Sequence, residues 1–164
     1  MDLDRFNTAP ADELRPTLLA CCDVPRWADA VVAARPYADS DALARRADEA
    51  AAGLSAEEVD RALAAHPRIG ERAEGAGTEA AWSRSEQGGV SRDDETQAAL
   101  AEGNRAYEEK FDRVFLICAT GLSGAEILAS LRTRLGNDET TERAVVADEL
   151  RKIAVLRTRK VIDQ

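Results

Sequence analysis

The chain has 164 residues, 45% hydrophobic and 32% charged, which is typical of one compact domain. The excess of 31 acidic over 22 basic residues disfavours a nucleic-acid or membrane-surface partner. No apolar run approaches the roughly 18 residues of a membrane span, and no signal-like segment opens the chain, so we expect a cytoplasmic protein. One histidine and three cysteines without paired spacing predict neither a metal site nor a disulfide framework.

Three amphipathic helices are predicted in the first third of the chain from apolar spacing and from Pro, Ser and Gly signals. Pro16 lies within the first helix and is expected to bend it or shift its start. Ser40 is predicted to cap the third helix. Their predicted limits are after Pro10, from Pro25 to before Pro36, and from Ser40 to Gly53.

A fourth helix is predicted to begin at the capping box of Ser55 and Glu58 and to end at Pro67. His66 is therefore expected at a helix end. Residues 69–89 are rich in Gly and small polar residues and show no sustained period, which predicts a long loop. Loops of that length in a small domain are usually functional or disordered.

The rest of the chain predicts three helices and one extended segment. Ser123 and Glu126 form a second capping box. The total is six to eight helices and at most one short strand, so we predict an all-α bundle forming a single domain over residues 1–164. The predicted limits are Ser91–Phe111 for a helix, Val114–Ala119 for the extended segment, Ser123–Gly136 for a helix and about Glu139–Val161 for the last helix.

His66 is a candidate general acid or base, because it is the only side chain here with an unperturbed pKa near neutrality. The alternative is a histidine that caps the last carbonyls of its helix. Ser83 and Glu86 have capping-box spacing, which explains both structurally. In a functional interpretation, Glu86 would pair with a histidine and Gln87 would bind the amide edge of a substrate.

Arg157 follows Ile153 by one turn on the inward side of the last helix, among several other basic residues. It belongs either to a solvated basic face or to a guanidinium fork that holds a substrate carboxylate. The segment ending in Gly121 is either simply core or a backbone cradle for a substrate oxygen.

Four motifs follow one another along the chain: His66–Gly70, Ser83–Gln87, Phe115–Gly121 and Ile153–Arg157. In their order and spacing they resemble the 2-oxo-4-hydroxy-4-carboxy-5-ureidoimidazoline (OHCU) decarboxylases of urate breakdown. The resemblance extends nearly end to end, through shorter matches near Phe6, Arg35 and Leu131.

This resemblance implies an all-α bundle that decarboxylates OHCU to (S)-allantoin, after uricase and a transthyretin-like hydroxyisourate hydrolase have acted. It also implies that no cofactor is needed and that a homodimer can form. His66 would be the catalytic general acid/base and Glu86 its carboxylate partner. Where many members carry Arg, this chain carries Thr120. The implied substrate-binding residues are Pro67, Ser83, Gln87, Ile117, Cys118, Ala119, Thr120, Gly121 and Arg157.

Two other functions fit the same residues. A helical interaction module would use the charged helices to bind a partner and would need His66 only structurally. A lyase or hydrolase acting on a related ureide would use the same polar side chains. The module predicts that the candidate residues lie apart, whereas either enzyme requires them in one small pocket.

Overall fold

Nine helices form the regular secondary structure of the computed structural model, which describes residues 1–70, 77–88 and 94–163. No strand occurs within these ranges, so the predicted all-α fold is confirmed, with one helix more than the expected maximum. None of the described helices is long and apolar enough to cross a membrane. The helices are α1 (Leu3–Thr8), α2 (Ala11–Cys21), α3 (Pro25–Ala33), α4 (Ser40–Ala52), α5 (Ala56–Leu63), α6 (Thr78–Glu86), α7 (Asp94–Phe111), α8 (Gly124–Leu135) and α9 (Glu139–Ile162).

Local signals identify most of the helix ends correctly. Both predicted capping boxes are present, since Ser55 and Ser123 each accept a backbone N–H and receive the reciprocal bond from a glutamate. The predicted cap of α4 is wrong by one residue. Asp39 is the N-cap and accepts the backbone N–H of Ala42 at 2.7 Å, so Ser40 is the first helical residue.

The loop predicted over residues 69–89 is wrong in part, because α6 lies within it. This helix has only a short apolar face, so its sequence lacks the repeated stripe by which longer helices are recognised. Its buried side chains are Ala80, Trp82 and Ser83, and their burial stabilises the helix. Ser91, the predicted cap of the next helix, lies outside the described residues. Residues 114–119 form neither helix nor strand.

The chain divides into two compact units, of which the first comprises Met1–Ala65 and Leu150–Gln164. Its fully buried side chains include Trp27 and Leu43. The indole Nε1 of Trp27 donates to the carbonyl of Ala47 on α4 at 2.9 Å, so the largest side chain of this core is also satisfied by a hydrogen bond. Within the same unit, Arg151 on α9 forms a two-bond ion pair with Asp48.

The second unit comprises His66–Glu149 and has its own apolar core. Gly103 lies where α7 meets α8, and a Cβ at this position would overlap the side chain of Leu131. Glycine therefore permits the close packing of the two helices. The core residues are Ile69, Leu100, Tyr107, Phe111, Phe115, Ile117, Ala119, Ile127 and Leu131.

A buried polar network crosses this core around Glu142, which is fully buried. Its Oε1 accepts hydrogen bonds from Tyr107 at 2.6 Å and from Nε and Nη2 of Arg134 at 2.8 and 2.6 Å. Burial alone would raise the pKa of Glu142, but the hydrogen bonds from Arg134, Tyr107 and Asn137 outweigh it and hold the pKa below its usual value. Burial, reinforced by the bond to Glu142, raises the pKa of Tyr107 to about 12.

The same arginine fixes the start of the segment over residues 117–121. Nη1 of Arg134 donates to the carbonyl of Leu116 at 2.6 Å, and its guanidinium lies 4.4 Å from the ring centroid of Phe115. Because Arg134 is also anchored to Glu142, its fork has little freedom. Buried side chains thus hold this segment in place, whereas a β-strand would be held by backbone hydrogen bonds to a neighbouring strand.

Candidate active site

His66 lies three residues beyond the last residue of α5, Leu63, and not at the helix end as predicted. The helix stops at Leu63, and the backbone N–H of its C-cap Ala64 bonds within the last turn. Pro67 disfavours a helical conformation for the residue before it, so the helix does not include His66. The half-buried imidazole therefore belongs to the segment over residues 66–70, hereafter the His66 turn.

The His66 turn is held at three consecutive residues. Arg68 forms an exposed two-bond ion pair with Glu108 on α7, at 2.5 and 3.2 Å. The carbonyl of Ile69 accepts a buried hydrogen bond from Nδ2 of Asn104, one turn earlier on α7, at 2.8 Å. The backbone N–H of Gly70 donates to Oε1 of Gln87 at 3.1 Å.

Glycine is required at position 70 by the conformation of the backbone. Its φ of +89° lies in the left-handed region, which side chains other than glycine rarely adopt. A Cβ there would lie 3.3 Å from Oε1 of Gln97 on α7. The glycine lets the turn pass close to α7 and present its N–H to Gln87.

The end of α6 supplies the second predicted motif. Glu86 is the last residue of the helix and Gln87 is its C-cap, both half-buried. Ser83 is 3% exposed, and its hydroxyl donates to Oε1 of Glu79 at 3.3 Å. The capping-box interpretation is therefore wrong, because Ser83 and Glu86 lie in the last turn of a helix and not at its start.

The structure joins these two motifs. The bond from Gly70 to Gln87 connects the His66 turn to the end of α6, 17 residues along the chain. Oε1 of Gln87 is used in this bond, while its amide nitrogen carries two donors that the bond does not employ. Pro67, the neighbour of His66, is half-buried in the same turn.

The segment over residues 117–121 alternates in exposure. Ile117 and Ala119 are buried, and Cys118 is half-buried. Thr120 and Gly121 are exposed, and Gly121 has a φ of +80°, which requires glycine for conformation alone. The side chains of this segment thus divide between the core and the surface.

Two backbone groups of this segment already have protein partners. The N–H of Cys118 donates to Oε2 of Glu149 at 3.0 Å. The carbonyl of Ala119 accepts the N–H of Leu122 at 3.0 Å and closes a turn. Of the backbone groups predicted to bind the substrate, the Cys118 N–H is therefore committed to a carboxylate.

Arg157 belongs to the first compact unit and is 1% exposed. Its Nη1 donates to the carbonyl of Ala20 on α2 at 3.0 Å. The interpretation of Arg157 as part of a solvated basic face is wrong. Burying a guanidinium is costly unless its donors are satisfied, so this side chain has a specific structural or ligand-binding role.

A pocket of about 280 Å³ opens beside the His66 turn. It is bordered by Ile69 and Gly70 on the turn and by Asn104 on α7, and its lining contains none of the predicted site residues. Asn104 is 4% exposed, and its Oδ1 has no hydrogen-bond partner among the described residues. In the sequence, Asn104 can be recognised as a polar residue within the apolar stripe of a predicted helix.

Sequence reasoning also missed three residues that hold the backbone over residues 116–118. Arg134 donates to the carbonyl of Leu116 and is itself held by Glu142. Glu149 accepts the N–H of Cys118. Across the ranges that the structure describes, no group of three or more His, Cys, Asp or Glu side chains is arranged to hold a metal ion. The expectation that no cofactor is needed rests on the sequence and on the family resemblance.

Comparison with known proteins identifies the family. A family model described as OHCU decarboxylase matches residues 7–159. The chain is 32% identical over 166 residues to the 2-oxo-4-hydroxy-4-carboxy-5-ureidoimidazoline decarboxylase of Amia calva, covering 99% of this chain and 95% of that protein. It is 30% identical to a uric acid degradation bifunctional protein of Arabidopsis thaliana, covering 86% of this chain and 45% of that longer protein.

A solved structure supports the same assignment. A crystal structure of OHCU decarboxylase in the presence of (S)-allantoin superposes with a TM-score of 0.75 at 27% sequence identity. The match covers 93% of this chain and 99% of that chain. The chain therefore belongs to the OHCU decarboxylase family, a family of carboxy-lyases.

Proposed function

We propose that this protein decarboxylates OHCU to (S)-allantoin in urate breakdown, with His66 as the general acid/base. Family membership supports the reaction class and the substrate. The observation that carries the proposal for the site is the 3.1 Å bond from Gly70 to Gln87, because it joins the two polar motifs on which the proposed chemistry depends. An interaction module would not require that junction.

The substrate supplies its own electron sink. When the bond to the carboxylate breaks and CO2 leaves, its electron pair flows into the adjacent C=N bond of the ring, and the ring nitrogen takes a proton. The resulting enol-like intermediate then loses its hydroxyl proton and gains a proton at the carbon that bears the ureido group. Proton transfer and orientation are therefore the tasks left to the protein.

His66 is proposed to deliver or remove these protons, and Glu86 to set the charge of the imidazole or to hold the substrate hydroxyl. The half-buried position of both side chains suits this task, since each is partly screened from water and still accessible to a ligand. Pro67 would fix the direction in which the turn presents the imidazole.

The other predicted residues are proposed to hold the substrate. Gln87 would use its amide nitrogen as a donor, because its oxygen is engaged by Gly70. Ser83, Arg157 and backbone groups of residues 117–121 would complete the contacts, through Ile117, Cys118, Ala119, Thr120 and Gly121. The Cys118 contribution would come from its carbonyl, because its N–H is bonded to Glu149.

The proposed setting is a cytoplasmic pathway in which uricase and a transthyretin-like hydroxyisourate hydrolase precede this enzyme. A homodimer is proposed from the family resemblance. Because the electron sink lies in the substrate, we expect turnover without a metal or an organic cofactor, and activity should survive exhaustive chelation.

The test is to add the purified protein to freshly generated OHCU and to follow ultraviolet absorbance and circular dichroism. We expect loss of OHCU to be accelerated over its spontaneous decay and one enantiomer of allantoin to form. Decay at the spontaneous rate with racemic product would contradict the proposal and favour the interaction module.

Gln87→Glu distinguishes the bond that Gln87 accepts from Gly70 from the hydrogen bonds that its amide nitrogen is proposed to donate to the substrate. Glutamate keeps an oxygen that can accept the Gly70 N–H but loses the two amide donors, so we expect a near-normal melting temperature and a KM raised by about tenfold or more. Thermal melting and steady-state kinetics measure the two effects. A fall in the melting temperature with unchanged KM would assign Gln87 to the turn alone.

Arg157→Lys tests whether the buried guanidinium binds the substrate. Lysine keeps the charge but loses the planar two-donor geometry, and we expect kcat/KM to fall by about tenfold or more. Exposed Arg132→Lys on α8 is the matched control and should have normal kinetics. If Arg157→Lys lowers only the melting temperature, the role of Arg157 is structural.

A further inference from the structure

We propose that Asn104 is a positioning residue that holds the His66 turn, and thereby the imidazole, in the reactive geometry. The inference rests on the proposed function of His66. Nδ2 of Asn104 donates to the carbonyl of Ile69, three residues after His66, in a bond of 2.8 Å. This bond is buried, whereas the ion pair of the neighbouring Arg68 with Glu108 is exposed and contributes little.

The position of Asn104 is unfavourable for folding alone. Asparagine is a poorer helix former than leucine, and this one lies inside α7 on the buried face shared with Leu100 and Tyr107. Its Oδ1 is buried without a hydrogen-bond partner among the described residues. A leucine would remove both penalties, so the amide is explained by what its nitrogen does for Ile69.

The side-chain amides of Asn104 and Gln87 together fix the His66 turn, one through a backbone carbonyl and the other through a backbone N–H. Asn104 binds the carbonyl of Ile69, and Gln87 binds the N–H of the next residue, Gly70. These two groups belong to one peptide unit, so both its donor and its acceptor are held and its plane cannot rotate without breaking a bond. The backbone between this peptide and His66 is short and includes Pro67, whose φ is restricted.

The test uses Asn104→Leu, because leucine fills a similar volume and donates no hydrogen bond. Asn104 borders the 280 Å³ pocket, so alanine would admit water, which could bond to the freed carbonyl of Ile69. We expect Asn104→Leu to fold and to lose about 10- to 100-fold in kcat, with KM within about twofold, as for a displaced catalytic group. Exposed Glu102→Gln on the same helix is the control and should match the wild type.

A second readout does not depend on turnover. His66 is the only histidine of the chain, so its ring proton signals in the NMR spectrum need no assignment. We expect these signals to move by more than a linewidth in Asn104→Leu and to stay in place in Glu102→Gln. Unchanged signals and wild-type kcat in Asn104→Leu would overturn the proposal.

The outcomes separate the two proposals. If the wild type does not turn over OHCU while the His66 signals still move in Asn104→Leu, the proposed function fails and the coupling between Asn104 and the turn stands. If Asn104→Leu does not fold, Asn104→Ala replaces it, and both the loss of kcat and the displacement of the His66 signals should then be smaller, because water can replace part of the lost bond. An Asn104→Ala protein with wild-type kcat and unmoved signals would overturn the positioning role.

Discussion

Replacement of His66 by asparagine is expected to lower kcat by about 10²- to 10⁴-fold while the protein stays folded, which is the usual contribution of a positioned general acid or base. The side chain is half-buried and lies beyond the end of α5, so its replacement by asparagine leaves no large cavity. Glu86→Gln should show a similar loss if the carboxylate acts with the imidazole. Initial rates of OHCU consumption and thermal melting measure both properties.

Ser85→Ala is the matched control for this pair, because Ser85 is exposed and precedes Glu86 on the same helix. Its kinetics and melting temperature should be those of the wild type. Wild-type turnover in His66→Asn, even with a lower melting temperature, would give His66 a structural role and remove the basis of the proposed mechanism.

Replacement of Glu142 by alanine is expected to lower the free energy of unfolding by about 3–5 kcal/mol, because it leaves the guanidinium of Arg134 buried without its counter-charge. The pair is 5% and 0% exposed and is joined at 2.6 Å. Total stabilities of domains this size are about 5–15 kcal/mol, so a large share would be lost. Urea denaturation measures the effect.

Two comparisons identify the cause as an uncompensated buried charge. The double variant Arg134→Met with Glu142→Leu should be more stable than Glu142→Ala alone, because both charges leave together. Arg143→Ala removes an exposed ion pair with Glu139 on the same helix and should cost at most about 1 kcal/mol. A double variant less stable than the single one would contradict this explanation.

The pH dependence of stability follows from the same network. Because the hydrogen bonds hold the pKa of Glu142 below its usual value, its stabilisation is fully present above the ordinary glutamate pKa. That stabilisation is lost as the pH falls through the lowered pKa of the folded protein. The Arg134→Met, Glu142→Leu variant should therefore lose less stability than the wild type over that acidic range.

The sequence predicts the start of a helix correctly where a capping box marks it. The capping boxes at Ser55 and Ser123 need only residues three apart, and both form as expected. In contrast, α6 is short and buries small side chains beside Trp82, so only tertiary packing reveals it. The predicted end of α5 at Pro67 is wrong, because the proline also disfavours a helical conformation of His66 and the helix stops at Leu63.

In the candidate site, too, the sequence shows which residues matter but not the contacts that they make. Motif order pointed to His66, Glu86 and Gln87 together, but no spacing rule could show that Gln87 bonds to Gly70. In the sequence, Asn104 is a polar residue in an apolar stripe, but its hydrogen-bond partner is a backbone carbonyl 35 residues away. Contacts between backbone groups and distant side chains leave no periodic trace in a sequence.

The most direct test of the proposed decarboxylation is to supply OHCU labelled with ¹³C in its carboxyl group and to follow the label by NMR. We expect labelled CO2 and bicarbonate to appear at an enzyme-accelerated rate, in amounts equal to the OHCU consumed, while the allantoin formed carries no label. A hydrolase acting on the ureide would consume OHCU and retain the label in an organic product. Consumption with the label retained, or release of label only at the spontaneous rate, would contradict the account.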